Sequence, residues 1–225
     1  MNAKQMREIL DVIAEMFPDA HCELNHSNPF ELTIAVLLSA QCTDETVNKV
    51  TAGLFEKYKR PEDYLSVSLE ELQQDIKRIG LYRNKATHIQ KMCRLLLDKF
   101  DGRIPEEHDK LTELPGVGRK TANVVMSNAF GVPAIAVDTH VDRVSKRLGA
   151  AKPDDSVLEV EKKLMKLVPR GVDADPSSSD LLWALPLQGT EPVLRNLSAA
   201  GPVQGRETAY EAVRNRKDKE RKLQR

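Results

Sequence analysis

Aromatic residues make up only 4% of this 225-residue chain, and 11 glycines and 12 prolines are an ordinary complement, which excludes collagen-like and low-complexity classes. Cysteine is scarcer still. Cys22, Cys42 and Cys93 are odd in number and widely spaced, so no disulfide framework is implied and a reducing cytoplasm fits. No apolar run reaches about 18 residues and the N-terminus is not signal-like, so neither a membrane span nor secretion is expected. Neither sign of charge prevails, with 34 basic against 34 acidic residues. The composition therefore does not announce a nucleic-acid binder, and any anionic partner must be met by a local basic footprint.

What the chain does have is helical periodicity. Hydrophobic residues, 40% of the total, are enough for a core, and through the first 168 positions they recur at three- and four-residue spacing. An all-α fold follows. Helices are predicted over about 4–16, 30–42, 44–58, 68–78, 83–100, 106–113, 119–129, 139–148 and 154–167.

The most informative stretch is Leu114-Pro115-Gly116-Val117-Gly118-Arg119-Lys120-Thr121-Ala122, followed by Ala136-Val137-Asp138-Thr139-His140-Val141. Two glycines one residue apart stand between a short helix after Pro105 and the apolar-periodic run that starts at Arg119. The unit reads as helix, hairpin, helix. Gly116 and Gly118 can take positive φ and bare their N–H groups, so a phosphate can sit against them and against the positive end of the next helix. Such a turn grips a duplex backbone without reading its sequence. Ile79-Gly80-Leu81-Tyr82-Arg83-Asn84-Lys85-Ala86 echoes the string, either as a packing helix-turn-helix or as a second DNA-facing turn.

These residues, with Pro29-Phe30-Glu31-Leu32 and Leu38-Ser39-Ala40-Gln41-Cys42-Thr43-Asp44, make residues 5–169 resemble the endonuclease III family of bifunctional DNA glycosylases, within the helix-hairpin-helix superfamily. The resemblance implies removal of oxidised pyrimidines from double-stranded DNA, then strand cleavage at the abasic site by β-elimination. It implies that Lys120 and Asp138 are catalytic, that Gln41 fills the gap left by an extruded nucleotide and that Leu81 wedges the opposite strand. Gly116, Gly118, Arg119, Thr121 and His140 join Gln41 and Leu81 as expected DNA contacts. The resemblance also implies a six-helix domain over 22–133, a second helical domain from 1–21 and 134–168, and a monomer acting in the cytoplasm on nucleoid DNA.

Residue chemistry agrees on Lys120. A nucleophile that attacks the sugar C1′ and stays attached as an imine must be an amine, yet an ordinary lysine, with a pKa of about 10.4, is protonated at neutral pH. Arg119 beside it, the positive end of its helix and burial against an extruded nucleotide would all disfavour the ammonium form. Asp138 fits a helix N-cap, from which it could activate Lys120 or stabilise positive charge on the sugar; a pure cap is the alternative. His140, in a first turn, reads as a local cap or phosphate contact. Arg83, Lys85, Arg119, Lys120, Arg143, Lys146 and Arg147 form the expected basic footprint, though charge runs are often merely solvated. His21, Cys22 and His26 match no zinc spacing, and no metal is expected there. A DNA-binding module without chemistry and a glycosylase without lyase activity are the competing classes; Lys120 speaks against both.

The tail departs from the family. Relatives continue into four cysteines spaced C-x6-C-x2-C-x5-C that hold a [4Fe–4S] cluster, but no cysteine follows Cys93 here, so no cofactor is expected. Residues 169–225 read as an irregular, poorly ordered tail rich in Pro, Gly, Ser and Ala. Read one nucleotide along, Leu187, Leu194, Leu197 and Val203 permit cysteine codons at the family spacing, which points to a frameshift near residue 171. Such a product could be catalytically weak and retain only DNA binding.

Overall fold

The computed structural model describes residues 1–16 and 22–168, apart from the side chains of 8 and 11–16. His21 and the whole region assigned to a frameshift lie outside the described residues. Among those residues every regular element is helical, and no helix is long and apolar enough to cross a membrane. They form two compact units, one of residues 22–134 and one that joins 1–16 to 135–168.

The first unit is built around α2 (Pro29–Ser39). Pro29 presets the helical φ at the first position, and the Asn28 side chain accepts the Glu31 N–H at 2.9 Å, so the helix starts sharply. Every residue from Phe30 to Leu38 is buried, as an apolar-all-round helix must be. Its two polar members are paired: Glu31 accepts from the Ser27 N–H and hydroxyl at 2.8 and 2.6 Å, and Thr33 donates to the Pro29 carbonyl at 2.7 Å. Around it pack α3 (Asp44–Lys57), α6 (Tyr82–Lys99) and α8 (Arg119–Phe130). Against α6 lie α4 (Pro61–Leu65) and α5 (Leu69–Asp75), while α7 (His108–Thr112) packs on α8.

Several helix ends shift by two or three residues from the sequence reading, as at α5, and two differences have a direct cause. Helix α4 is an additional single turn, invisible to periodicity because it is shorter than two turns; Pro61 starts it, and Tyr64 anchors it edge-on to Phe30, with ring centroids 5.7 Å apart. Helix α2 stops at Ser39 rather than continuing to 42, because Gln41 takes a left-handed φ of 56°.

The second unit contains α1 (Ala3–Met16), α9 (Thr139–Arg147) and α10 (Val157–Leu167). Met6 and Leu10 meet Ile135, Val137, Val141, Ala150, Ala151, Val160 and Leu164 in one cluster. A capping box, with Ser156 and Glu159 exchanging hydrogen bonds, starts α10.

Candidate active site

The hairpin joins α7 to α8 through two backbone bonds: Leu114 donates to the Leu111 carbonyl at 3.1 Å, and Val117 to that of Leu114 at 2.9 Å. Between them Gly116 has φ 84°, and a Cβ there would stand 2.9 Å from Leu37 Cδ1 and 3.0 Å from His88 Cβ. This glycine is required twice, by its backbone and by the seat of the hairpin on α2 and α6. Gly118 is a different case, and the expectation of positive φ at both glycines needs correcting. Its φ is −85°, an ordinary extended value, and nothing lies within 4 Å of where a Cβ would be. No packing inside the unit demands a glycine there.

Gly118 is the N-cap of α8, which leaves that helix start without a side-chain cap. The starts of α2, α3, α5, α9 and α10 each have one, from Asn28, Thr43, Ser68, Asp138 and Ser156. Helix α6, which follows the echoing turn, and α7 also lack one. A helix start without a side-chain cap is a place where an anion can meet the positive end of the helix. Arg119 and Lys120 occupy the exposed first turn of α8, and Thr121 is half-buried beside them.

Gln41 and Leu81 share an uncommon backbone. Among the described residues they are two of only three non-glycine positions with positive φ, at 56° and 57°, a conformation that costs roughly 1–2 kcal/mol for a residue with a Cβ. Both are exposed, Leu81 by 58%, so an apolar side chain is held in water by a strained turn. Neither core packing nor propensity accounts for that arrangement.

Asp138 and His140 belong to the second unit. One Asp138 oxygen, Oδ1, accepts the His140 and Val141 N–H groups at 2.9 Å each, so this carboxylate does cap α9. His140 is half-buried, with its N–H in that cap.

The basic footprint loses one member. Lys85 is buried, and its ammonium donates to the Leu38 and Ala40 carbonyls at 2.9 and 2.5 Å, so it does not face a phosphate. Arg83 stays exposed, its guanidinium 5.5 Å from the Tyr82 ring centroid, whereas Lys146 pairs with Asp142 at 2.9 Å. One further residue escaped the sequence reading. Asp44 opens α3, is 97% buried, and has a carboxylate oxygen, Oδ2, with no hydrogen-bond partner. Burial holds its carboxyl above the usual range; Glu23 adds to that and the charge of Lys120 works against it. Asp44 and Glu45 both fall in the first turn of α3, where the helix dipole favours acids, so the sequence alone does not separate the buried one from the exposed one.

Residues 34–170 match the model of the HhH-GPD superfamily of base excision DNA repair proteins. Endonuclease III of Bacillus subtilis is 67% identical over 170 residues, which cover 76% of this chain and 78% of that protein; that of Escherichia coli K12 is 50% identical over 175 residues, covering 78% and 82%. A solved structure of a trapped endonuclease III–DNA covalent intermediate superposes with a TM-score of 0.75 at 63% identity, covering 82% of this chain and 85% of that one. The chain belongs to the endonuclease III family. A thermostable thymine-DNA glycosylase, 24% identical with a TM-score of 0.71 over 91% of this chain and 93% of its own, shares the fold.

Endonuclease III proteins usually carry a [4Fe–4S] cluster, and the cysteines present do not suit one. Three thiols cannot supply four ligands, and burial pushes the Cys93 thiol up to about 12 and the Cys22 thiol above its ordinary value, which opposes the thiolate form that iron needs. Among the described residues no group of three or more His, Cys, Asp or Glu side chains could hold a metal ion.

Proposed function

We propose that Lys120 is the nucleophile of a base excision repair enzyme that removes oxidised pyrimidines from double-stranded DNA and cuts the strand at the resulting abasic site. The observation that carries this reading is the amine itself, exposed in the first turn of a helix whose start is left without a side-chain cap by Gly118. A related endonuclease III trapped as a covalent intermediate with DNA supports a covalent route.

The hairpin binds phosphate, while Gln41 and Leu81 enter the duplex where the damaged nucleotide leaves the stack, offsetting an unstacking cost of a few kcal/mol. Neutral Lys120 Nζ then attacks C1′, and the C1′–N bond breaks as the base departs with its electron pair and gains a proton. Ring opening leaves a protonated imine. Loss of a C2′ proton expels the 3′ phosphate, and water finally releases the amine. Asp138 activates the amine or stabilises the positive sugar. A carboxyl that burial has made a better proton holder, Asp44, suits a group that takes and returns a proton under the influence of Lys120.

The reading extends to the tail: this chain holds no cluster, and the chain from about residue 171 onward is the product of a shifted frame. The family match, which ends at residue 170, supports it. Leu codons other than CTG at 187, 194 and 197 would refute the shift.

Borohydride trapping on abasic-site DNA tests the nucleophile, because only an imine is reduced to a covalent adduct. Lys120→Gln is expected to form no adduct and to lose roughly 1,000-fold or more in excision while still binding DNA. An adduct at the original rate refutes the assignment.

A further inference from the structure

Gln41 and Leu81 are far apart in sequence, yet one residue is bonded to the backbone just before the first and at the second. Lys85 lies one turn into α6, where its N–H donates to the Leu81 carbonyl at 3.1 Å. Its buried ammonium reaches across to α2 and takes the carbonyls of Leu38 and Ala40, the last before Gln41. The Cys42 N–H closes the same turn onto Ser39 at 3.0 Å. The two loops also lie close together, since a Cβ at Gly80 would stand 3.3 Å from the Gln41 carbonyl.

Helix C-termini ordinarily satisfy their last carbonyls with a local left-handed turn or with water. Here a cation from another helix does so, although burying an ammonium is unfavourable and only partly offset by the negative end of α2. Closing α2 does not need that cation. What the lysine adds is a fixed link between two turns that each hold an exposed side chain in a left-handed conformation.

We infer that Lys85 is a positioning residue that sets the spacing between Gln41 and Leu81, so that both side chains enter a duplex as one rigid fork. The inference rests on the reading of Gln41 as plug and Leu81 as wedge. A fork matters only while a paired base is being extruded. It does nothing for a base already out of the stack.

The test is single-turnover excision of 5-hydroxycytosine by the full-length chain, from a paired duplex and from the same strand unpaired. Lys85→Met is expected to slow the paired reaction about 30-fold and the unpaired one less than about 3-fold, because sub-ångström misplacement is felt where alignment limits the rate. Added to Gln41→Ala/Leu81→Ala, it should change the paired rate by less than about 2-fold, since nothing remains to align. Equal slowing of both substrates, or a loss that multiplies in that background, overturns the inference and leaves plug and wedge standing. A Gln41→Ala/Leu81→Ala chain as fast as the parent on paired DNA removes both. Gly80→Ala covers the case in which Lys85→Met does not fold. It keeps the buried cation and presses on the Gln41 carbonyl, so a paired-only loss of about 5-fold is expected, and an unchanged paired rate contradicts the inference.

Discussion

The starts of α8 and α9 carry Lys120 and Asp138, two of the residues assigned to chemistry, and they are built in opposite ways. At α8 the cap position is a glycine with open space around its α-carbon, and the amine follows in the exposed first turn. At α9 the proposed reactive group is itself the cap, holding two N–H groups on one carboxylate oxygen. A helix start that receives a ligand has to leave its donors to that ligand, whereas one that presents a carboxylate can use the same side chain to satisfy itself. On the proposed reading, the first design gives up local stability for binding. The second makes one residue serve both ends.

The contrast is broken most sharply at Asp138. Asparagine caps a helix as well as aspartate does, so Asp138→Asn keeps the α9 start and removes only the charge. Its melting temperature should stay within about 1–2 °C of the parent, while excision falls about 100-fold. Asp138→Ala removes both, losing the same activity and about 1 kcal/mol of stability. An Asp138→Asn chain with full activity would reduce this residue to a cap and end the comparison.

The two hairpin glycines sharpen the other half. Gly116→Ala must adopt a positive φ and push against Leu37 and His88, so it should cost about 1–3 kcal/mol in urea unfolding. Gly118→Ser meets no obstacle and supplies a good N-cap, so stability should rise by a few tenths of a kcal/mol, roughly 0.3. The same hydroxyl competes for the donors that would face phosphate, and affinity for abasic-site duplex should fall about 10-fold. Stability and binding moving in opposite directions is the mark of a helix start kept uncapped for a ligand; if both rise, the glycine is there for another reason.

The helices and the hairpin were legible in the sequence because their signals are local: apolar spacing, a cap residue, a glycine pair before a helix. It failed where burial decides. Lys85 counted as surface charge until α6 was found to pack beside the end of α2. Gly118 and Gly116 were alike on paper and differ only in what surrounds them. Helix α4 was too short to show a period, and its anchor Tyr64 matters through contacts with Phe30 and Tyr58 from other elements. Nothing local separates Asp44 from Glu45 beside it; only burial does.

Asp44 also gives the smallest effect, and one whose sign can be fixed. A carboxyl raised by burial is better bound to its proton in the folded chain than in the unfolded one, so its ionised form weakens folding at neutral pH. The α3 dipole favours the carboxylate, but the net shift is upward, so desolvation wins. Asp44→Asn should therefore raise the melting temperature by about 2 °C near pH 7. That gain should shrink as pH falls through the raised folded value and vanish below the ordinary carboxylate value of about 4, where the parent is protonated in both states. Lys120 is the one group pulling the other way, so in a Lys120→Gln background the gain should grow. Thermal melts of the four chains across that pH range decide the matter. A gain independent of Lys120 would mean that the amine does not feel this carboxyl, and a loss at neutral pH would mean that Asp44 is kept for stability rather than for the reaction.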